Sequence, residues 1–352
     1  MPTESQKTKV AVIGASGYSG AELLRRLLVH PGADLVCLTS RTYAGKSCAD
    51  VFPRFAKVGN ADNLKFINPQ ISAITDSGAE IAFLALPHGV ASEFAVPLLE
   101  AGLKVIDLSA DFRLNDAAIY KEFYDHEHPA PELLAESVYG LPEFHAEEIK
   151  SSRLIASPGC YPTSIILPLI PLLREKLITP DSVHVTSMSG ASGAGKSANV
   201  ALLFAEVNES MRAYSVPKHR HLSEVEQELS IAAGEKVTIT FLPHLLPVTA
   251  GIHTSTVAAA TPGTSAADLT AALEKAYANA PFVRLLGEGQ HPDTKNVTGS
   301  NFIDIGWHLD PRTNRVILLS AEDNLGKGAA SQAIQSYNLV TGQAETTGLD
   351  WI

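Results

Sequence analysis

The sequence predicts an α/β chain in two parts: a parallel sheet covered by helices, then an α+β region built on a largely antiparallel sheet. Three observations lead there. Up to residue 159, short apolar runs alternate with helical stripes. Past residue 160, strand-like runs follow one another with turn residues between them. A glycine-rich turn also joins the first apolar run to the first helical stripe.

Lys9 to Ile13 is a β-branched apolar run closed by Gly14. From Ser19 to His30, Leu23, Leu24, Leu27 and Leu28 form a helical stripe that Pro31-Gly32 stops. Asp34–Thr39, Ile81–Leu86 and Lys104–Leu108 read as further strands, with a helix between Val90 and Ala101 despite Pro97. This alternation indicates a parallel sheet with helices on both faces. In the second part, Ser182–Met188, Lys236–Leu242, Gly251–Ala259, Phe302–Leu309 and Arg315–Ser320 read as strands. The last two are joined by the hairpin-type connection Asp310–Asn314. Ser223 with Glu226 reads as a capping box opening one helix, and Ser265 opens another with Leu269, Leu273, Ala276 and Tyr277 on one face. A final helix from Gly326 to Val340 is expected to return to the first domain. The expected division is therefore 1–159, 160–325 and a returning segment 326–352.

A chain of 352 residues has ample length for two cores. Its 45 % hydrophobic and 18 % charged residues are ordinary for a globular enzyme. The formal charge of −11 speaks against nucleic acid or an anionic membrane as partner, but not against a small anionic substrate held by local arginines. No stretch approaches the roughly 18 apolar residues of a membrane span, and the polar segment Met1–Lys9 lacks a signal-peptide core. Three cysteines, Cys37, Cys48 and Cys160, show neither paired nor metal-type spacing, which reads as reduced and cytoplasmic.

The turn Gly14-Ala-Ser16-Gly17-Tyr18-Ser19-Gly20 places backbone amides and a helix start where a dinucleotide pyrophosphate would lie, as in a Rossmann-type domain. Its G-x-x-G-x-x-G spacing departs from the common fingerprint, so a ligand-free βα turn is the competing reading. After the second strand comes Thr39-Ser40-Arg41-Thr42, with no acid to accept from ribose hydroxyls. Ser40 beside Arg41 suits a 2′-phosphate, hence NADP(H); a solvated Arg41 is the alternative.

Ser157-Pro-Gly-Cys160-Tyr-Pro162-Thr163 places Cys160 at a predicted helix start, where amides and dipole favour a thiolate. Pro168 and Pro171 predict a short or kinked helix. Cys37 reads as core, and Cys48 as a loop residue without an activator. A thiolate needs a proton-transfer partner, and His219 and His221 are the candidates, with His88, His126 and His128 weaker. No further ligands complete a metal site. Arg113, after the fourth strand, is a fork for a carboxylate or phosphate, or else pairs with Asp111 or Asp116. Ser189–Gly195 is a second glycine-rich loop.

With these pieces the chain resembles the N-acetyl-γ-glutamyl-phosphate reductase family of arginine biosynthesis, within the semialdehyde dehydrogenase group. The resemblance runs almost end to end. It is carried by Gly14–Gly20, Ala85-Leu-Pro-His-Gly89, Ser109-Ala-Asp-Phe-Arg-Leu114, Tyr139-Gly-Leu-Pro-Glu143, Pro158–Thr163 and Asp323–Gly328. It implies NADPH-dependent reduction of N-acetylglutamyl phosphate to the semialdehyde through a thioester on Cys160. It favours His221 over His219 as acid/base, places Arg113 near the substrate phosphate, and sets Ser192, Gly193 and Asn324 near the nicotinamide end of the cofactor. Homodimers or homotetramers are implied. Ser164 and Pro168 depart from the small residues expected after the cysteine. Two other readings remain: a non-catalytic NADPH-sensing module, and a sister enzyme acting on aspartyl or carrier-bound glutamyl phosphate. An acidic carrier would meet like charge along Tyr120–Glu136, which is rich in Glu, Asp and His.

Overall fold

A computed structural model describes residues 7–349, which divide into two compact units. The first comprises residues 7–118, 127–158 and 329–349; the second comprises 119–126 and 159–328.

In the first unit the strands are β1 (Thr8–Ile13), β2 (Ala33–Thr39), β3 (Phe66–Ile67), β4 (Ile81–Leu84), β5 (Lys104–Asp107), β6 (Val138–Tyr139) and β7 (Leu154–Ala156). They form one sheet in the order β3-β2-β1-β4-β5-β7-β6, every pair parallel. β4 and β7 are buried throughout, as a sheet covered on both faces requires. Strand order reverses between β2-β1 and β4-β5, and the crevice beyond the carboxyl ends there is where such sheets bind ligands.

The C-terminal helix Ser331–Val340 is buried along its whole length and packs on β5 and on the helices Tyr18–Leu27 and Pro142–Ser151. Its polar residues are held by chain atoms: Asn338 Oδ1 lies 3.0 Å from His30 Nε2, and Tyr337 donates to Gly32 O at 2.9 Å. The single helix expected from Gly326 is instead a π-helical turn, Gly326–Ala330, followed by this α-helix.

In the second unit β8 (His184–Gly190), β9 (Arg212–Ala213), β10 (Thr240–Leu246), β11 (Ile252–Ala259), β12 (Val283–Glu288), β13 (Ile303–Asp310) and β14 (Arg315–Glu322) form a sheet ordered β12-β13-β14-β11-β8-β10-β9. Four of its pairings are antiparallel; β8 with β10 and β12 with β13 are parallel. Burial alternates residue by residue along β11, the period of a strand with one face on the core. The helix Cys160–Arg174 packs on β11, β14 and the helices Leu222–Ala233 and Ala266–Tyr277.

Four local expectations are corrected. The strand read at Lys236–Leu242 begins at Thr240 and continues through Pro243, while Val237 and Ile239 enter the core from the preceding segment. The helix Cys160–Arg174 runs 15 residues through Pro168 and Pro171, because every residue from Tyr161 to Leu173 is buried and packing outweighs the missing N–H groups. Ser223 and Glu226 form no capping box: Ser223 Oγ donates to Arg220 O (2.7 Å) and Glu226 accepts from Ile239 N–H (3.1 Å), whereas Ser265 and Asp268 do form one. Cys48 is not an open loop residue but is buried at the start of the short helix Cys48–Val51. No helix among the described residues is long and apolar enough to cross a membrane.

Candidate active site

The glycine-rich turn expected to cradle a dinucleotide lies in the first unit. Gly14 has φ +77°, and a Cβ there would stand 2.5 Å from Ala85 O and 2.9 Å from Leu86 Cδ2. A Cβ on Gly20 would stand 2.6 Å from the Ala15 backbone, so Gly20 allows the helix Tyr18–Leu27 to close on the turn. At Gly17, the N-cap of that helix, the nearest atom would be 3.9 Å away, which leaves the backbone open to a ligand. The turn is tied to the end of β2 by Gly14 N–H to Thr39 Oγ1 (3.2 Å) and by a Ser16–Ser40 hydroxyl contact (3.1 Å).

Beside it opens a cleft of about 280 Å³. Gly14, Ser16, Thr39, Ser40, Arg41 and Thr42 form its polar wall; Pro69, Leu86, Pro87, Val90 and Phe94 form its apolar wall. No acid among the described residues lines it, and Arg41 is exposed. Asp34 pairs with Lys9 at the start of β1, at the opposite end of the strand from Ser40. Glycine cradle, acid-free polar rim and apolar slot fit a dinucleotide with an extra phosphate on its ribose. The apolar wall carries no role in the sequence reading, although Leu86 and Pro87 belong to a segment that carries the resemblance.

The thiol site lies in the second unit. Cys160 is the first residue of the helix Cys160–Arg174 and is partly exposed, with Gly159 as N-cap. Gly159 N–H donates to Glu224 Oε2 (3.1 Å). A Cβ on Gly159 would fall 2.5 Å from His221 Nε2 and 2.8 Å from Glu224 Oε1, so only glycine admits these groups beside the cysteine. His221 Nε2 and Glu224 Oε1 are 4.0 Å apart, with the Glu224 side chain 1 % exposed. Glu224 and Gly159 were not singled out in the sequence; the available sign was an acid three residues past His221, on the first turn of the helix Leu222–Ala233. On the other side, a Cβ at Gly328 would stand 3.0 Å from Cys160 Cβ, so the π-helical turn closes on the cysteine. π-Helical turns often mark functional sites.

His219 sits differently. Its ring centroid lies 5.5 Å from Tyr161, 5.5 Å from Phe241, 5.7 Å from Tyr214 and 4.8 Å from His221. Its Nδ1 accepts the His221 N–H at 3.1 Å. Burial, then the Arg220 charge, push its pKa down to about 4. Tyr161 and Tyr214 share a hydroxyl contact of 2.8 Å, and burial pushes both phenols up, Tyr214 to about 12. The loop is clamped by residues 119–126: Lys218 Nζ reaches Glu122 Oε1 (2.9 Å) and lies 4.5 Å from the Phe123 ring centre, while Arg220 lies 5.9 Å from that of Tyr124.

The remaining candidates are held structurally. Arg113 is buried and donates to Ser157 O (2.8 Å) and Leu108 O (2.9 Å), bracing the carboxyl ends of β5 and β7. Beside it burial, and then the Asp111 charge, push the Asp107 carboxyl well above the usual carboxylate range. Asp111 accepts from Gly89 N–H (2.7 Å) and Ser92 N–H (3.2 Å). Asn324 donates to Ser192 Oγ (2.9 Å) and accepts from Gly251 N–H (2.8 Å), fixing the second glycine-rich loop; Gly193 lies beside Asn324 Nδ2 and Ser189 Oγ. Burial pushes Cys37 and Cys48 up to about 11, leaving both unsuited to nucleophilic work. His88 Nδ1 accepts from Ala110 N–H (3.2 Å), His128 Nδ1 from Ala130 N–H (3.0 Å), and His126 Nδ1 donates to Tyr124 O (2.8 Å). No cluster of metal-binding groups occurs among the described residues.

Comparison with known proteins accords with this geometry. Residues 9–152 match the family model for the semialdehyde dehydrogenase NAD binding domain, and residues 160–324 that for the semialdehyde dehydrogenase dimerisation domain. An N-acetyl-gamma-glutamyl-phosphate reductase of Akkermansia muciniphila is 57 % identical over 347 residues, covering 99 % of both chains. Another, from Moorella thermoacetica, is 48 % identical over 97 % of this chain and 98 % of its own. In fold the chain is similar to aspartate semialdehyde dehydrogenase II of Vibrio cholerae, with TM-score 0.72 at 18 % identity over 96 % and 99 % of the two chains. It is also similar to the NADP-bound aspartate semialdehyde dehydrogenase of Candida albicans, with TM-score 0.71 at 16 % identity over 97 % and 100 %. The chain belongs to the N-acetyl-gamma-glutamyl-phosphate reductase family of the semialdehyde dehydrogenases.

Proposed function

We propose that this chain reduces N-acetyl-L-glutamyl 5-phosphate to N-acetyl-L-glutamate 5-semialdehyde with NADPH, releasing phosphate, as a step of arginine biosynthesis. The observation that carries the reading is Cys160 at a helix start, beside a glycine that makes room for His221 and Glu224, in a chain 57 % identical end to end to a relative of that name.

The chemistry can be built from these residues. His221 takes the Cys160 proton, and the thiolate attacks the acyl carbon. The acyl–oxygen bond breaks, and the departing phosphate takes the proton back from His221, leaving a thioester on Cys160. A thioester accepts hydride far more readily than a carboxylate, which is the advantage of the covalent route. NADPH, when bound, supplies that hydride. Collapse of the resulting thiohemiacetal anion frees the aldehyde and the thiolate, which regains its proton from solvent through His221. Glu224, buried and 4.0 Å from His221 Nε2, favours the imidazolium while it holds the proton.

The cofactor residues are Gly14, Ser16, Gly17, Tyr18, Ser19, Gly20, Ser40 and Arg41, with Ser192, Gly193 and Asn324 assigned to the nicotinamide end. Arg113, a buried cation at the carboxyl end of β5, is assigned to the anionic substrate. Free acetylated substrate is preferred to a carrier-bound one, since 38 acidic against 27 basic residues oppose an acidic carrier. A cytoplasmic homodimer or homotetramer is the assembly proposed. The test is NADP reduction with N-acetylglutamate semialdehyde and phosphate, run beside aspartate semialdehyde and a carrier-attached substrate. Turnover confined to either of the last two would reject the reading.

A further inference from the structure

Two histidine rings stand side by side in the loop ahead of the helix Leu222–Ala233, and His221 lies against Gly159. We infer that His219 is a positioning residue: as a neutral imidazole it accepts the His221 N–H on Nδ1 and fixes the backbone that carries the proton-transfer ring. The inference rests on His221 as acid/base and adds the device that holds it in place.

The ring and the main chain of His219 both grip the next residues of the loop. Its Nδ1 accepts from His221 N–H at 3.1 Å, and its carbonyl accepts from Leu222 N–H at 3.0 Å. Because Nδ1 is an acceptor, the ring proton sits on Nε2, and protonating Nδ1 would set a donor against a donor. The walls of the site suit a neutral ring. Tyr161 comes from the helix headed by Cys160, Phe241 from β10, and Tyr214 directly follows β9; all three meet His219 edge-on. The two tyrosine hydroxyls are engaged with each other, and the charged neighbour on the loop itself, Arg220, is a cation that opposes an imidazolium.

This arrangement bears on His221. With 4.8 Å between ring centroids, a charged His219 would repel the imidazolium that proton transfer requires. A neutral partner leaves His221 free to gain and lose its proton while its main chain stays fixed. Position matters here because displacement of a reacting group by about 1 Å costs on the order of 10²-fold in rate.

The test begins with the whole enzyme labelled with ¹⁵N-histidine, the His219 signals being assigned as those lost in His219→Asn. The expected result is a ring with unprotonated Nδ1 and protonated Nε2, unchanged from pH 9 to pH 5. A His219 that titrates near the ordinary value of about 6.5, or that carries its proton on Nδ1, overturns the inference. The second arm compares His219→Asn, which keeps an acceptor at the δ position, with His219→Phe, which keeps the aromatic filling but no acceptor. The Asn variant is expected to exceed the Phe variant in kcat by about tenfold or more, with KM for NADPH alike and both limbs of the pH–rate profile retained. Equal kcat in the two variants removes the acceptor role, and loss of a limb moves proton transfer to His219 itself; either outcome overturns the inference. Undiminished turnover in His221→Asn would instead reject His221 as the acid/base and leave the spectral result standing.

Discussion

The two units make their sites from different materials. In the first, the proposed cradle is a continuous stretch of chain, Gly14 to Gly20, tied to Thr39 and Ser40, and the groups it offers a ligand are backbone amides and small hydroxyls. In the second, the site is assembled from side chains remote in sequence: Glu224 meets Gly159 across 65 residues, and Asn324 meets Ser192 across 132. A backbone cradle depends on the absence of a few Cβ atoms and tolerates other change. A side-chain site depends on each hydrogen bond.

That contrast predicts a graded set of effects. The largest is expected for Cys160→Ser, which should retain NADPH binding while losing essentially all turnover; more than a few per cent of residual activity would break the assignment. Next comes Gly159→Ala, whose Cβ would meet His221 Nε2 at 2.5 Å and Glu224 at 2.8 Å. Its kcat should fall by about 10²-fold or more, as expected when a catalytic group is displaced by about 1 Å, with NADPH affinity preserved. Wild-type kcat would show that the His221–Glu224 placement is irrelevant to the chemistry.

Arg41→Ala concerns the exposed rim of the cleft and should act only on cofactor choice. The preference for NADPH over NADH in kcat/KM should narrow by about tenfold, the scale of a charge-assisted hydrogen bond in an open site. An unchanged ratio would move 2′-phosphate recognition elsewhere. The smallest effect concerns stability. The folded-state pKa of His219 is lowered from 6.5 to about 4, so its stabilising contribution is complete above pH 6.5 and is lost as pH falls toward 4. Thermal melting between pH 7 and pH 4 should therefore decline less steeply in His219→Asn than in the wild type, and parallel curves would contradict the assignment.

The same contrast explains what could be read from the sequence. The first sheet was legible because its strands are short apolar runs between recognisable breakers, and the glycine turn is contiguous. Ser40 and Arg41 come directly after the end of β2. In the second unit Cys160 was legible from Pro162 as a first-turn residue, but the approach of Glu224 to Gly159 is a long-range contact that no local pattern encodes. The same holds for the aromatic box around His219, which draws Tyr161, Tyr214 and Phe241 from three separate elements. Misreadings arose where tertiary packing overrode a local rule. Pro168 and Pro171 sit inside a continuous helix because its surroundings bury it completely, and Ser223 turns back to Arg220 instead of capping. Ser164, which departs from the family pattern, is explained by packing: its hydroxyl lies 2.8 Å from Thr254 Oγ1, which in turn contacts Ser187, tying the cysteine helix to β11 and β8.

The central claim is that one thiol of three carries the acyl group. It is tested most directly by incubating the enzyme with N-acetylglutamate semialdehyde and NADP without phosphate, quenching in acid, and mapping the adduct by peptide mass spectrometry. The account predicts an N-acetylglutamyl thioester on the peptide containing Cys160, discharged when phosphate is added, with Cys37 and Cys48 unmodified. An acyl group on either buried cysteine, or NADPH formation with no acyl-enzyme at all, would contradict it.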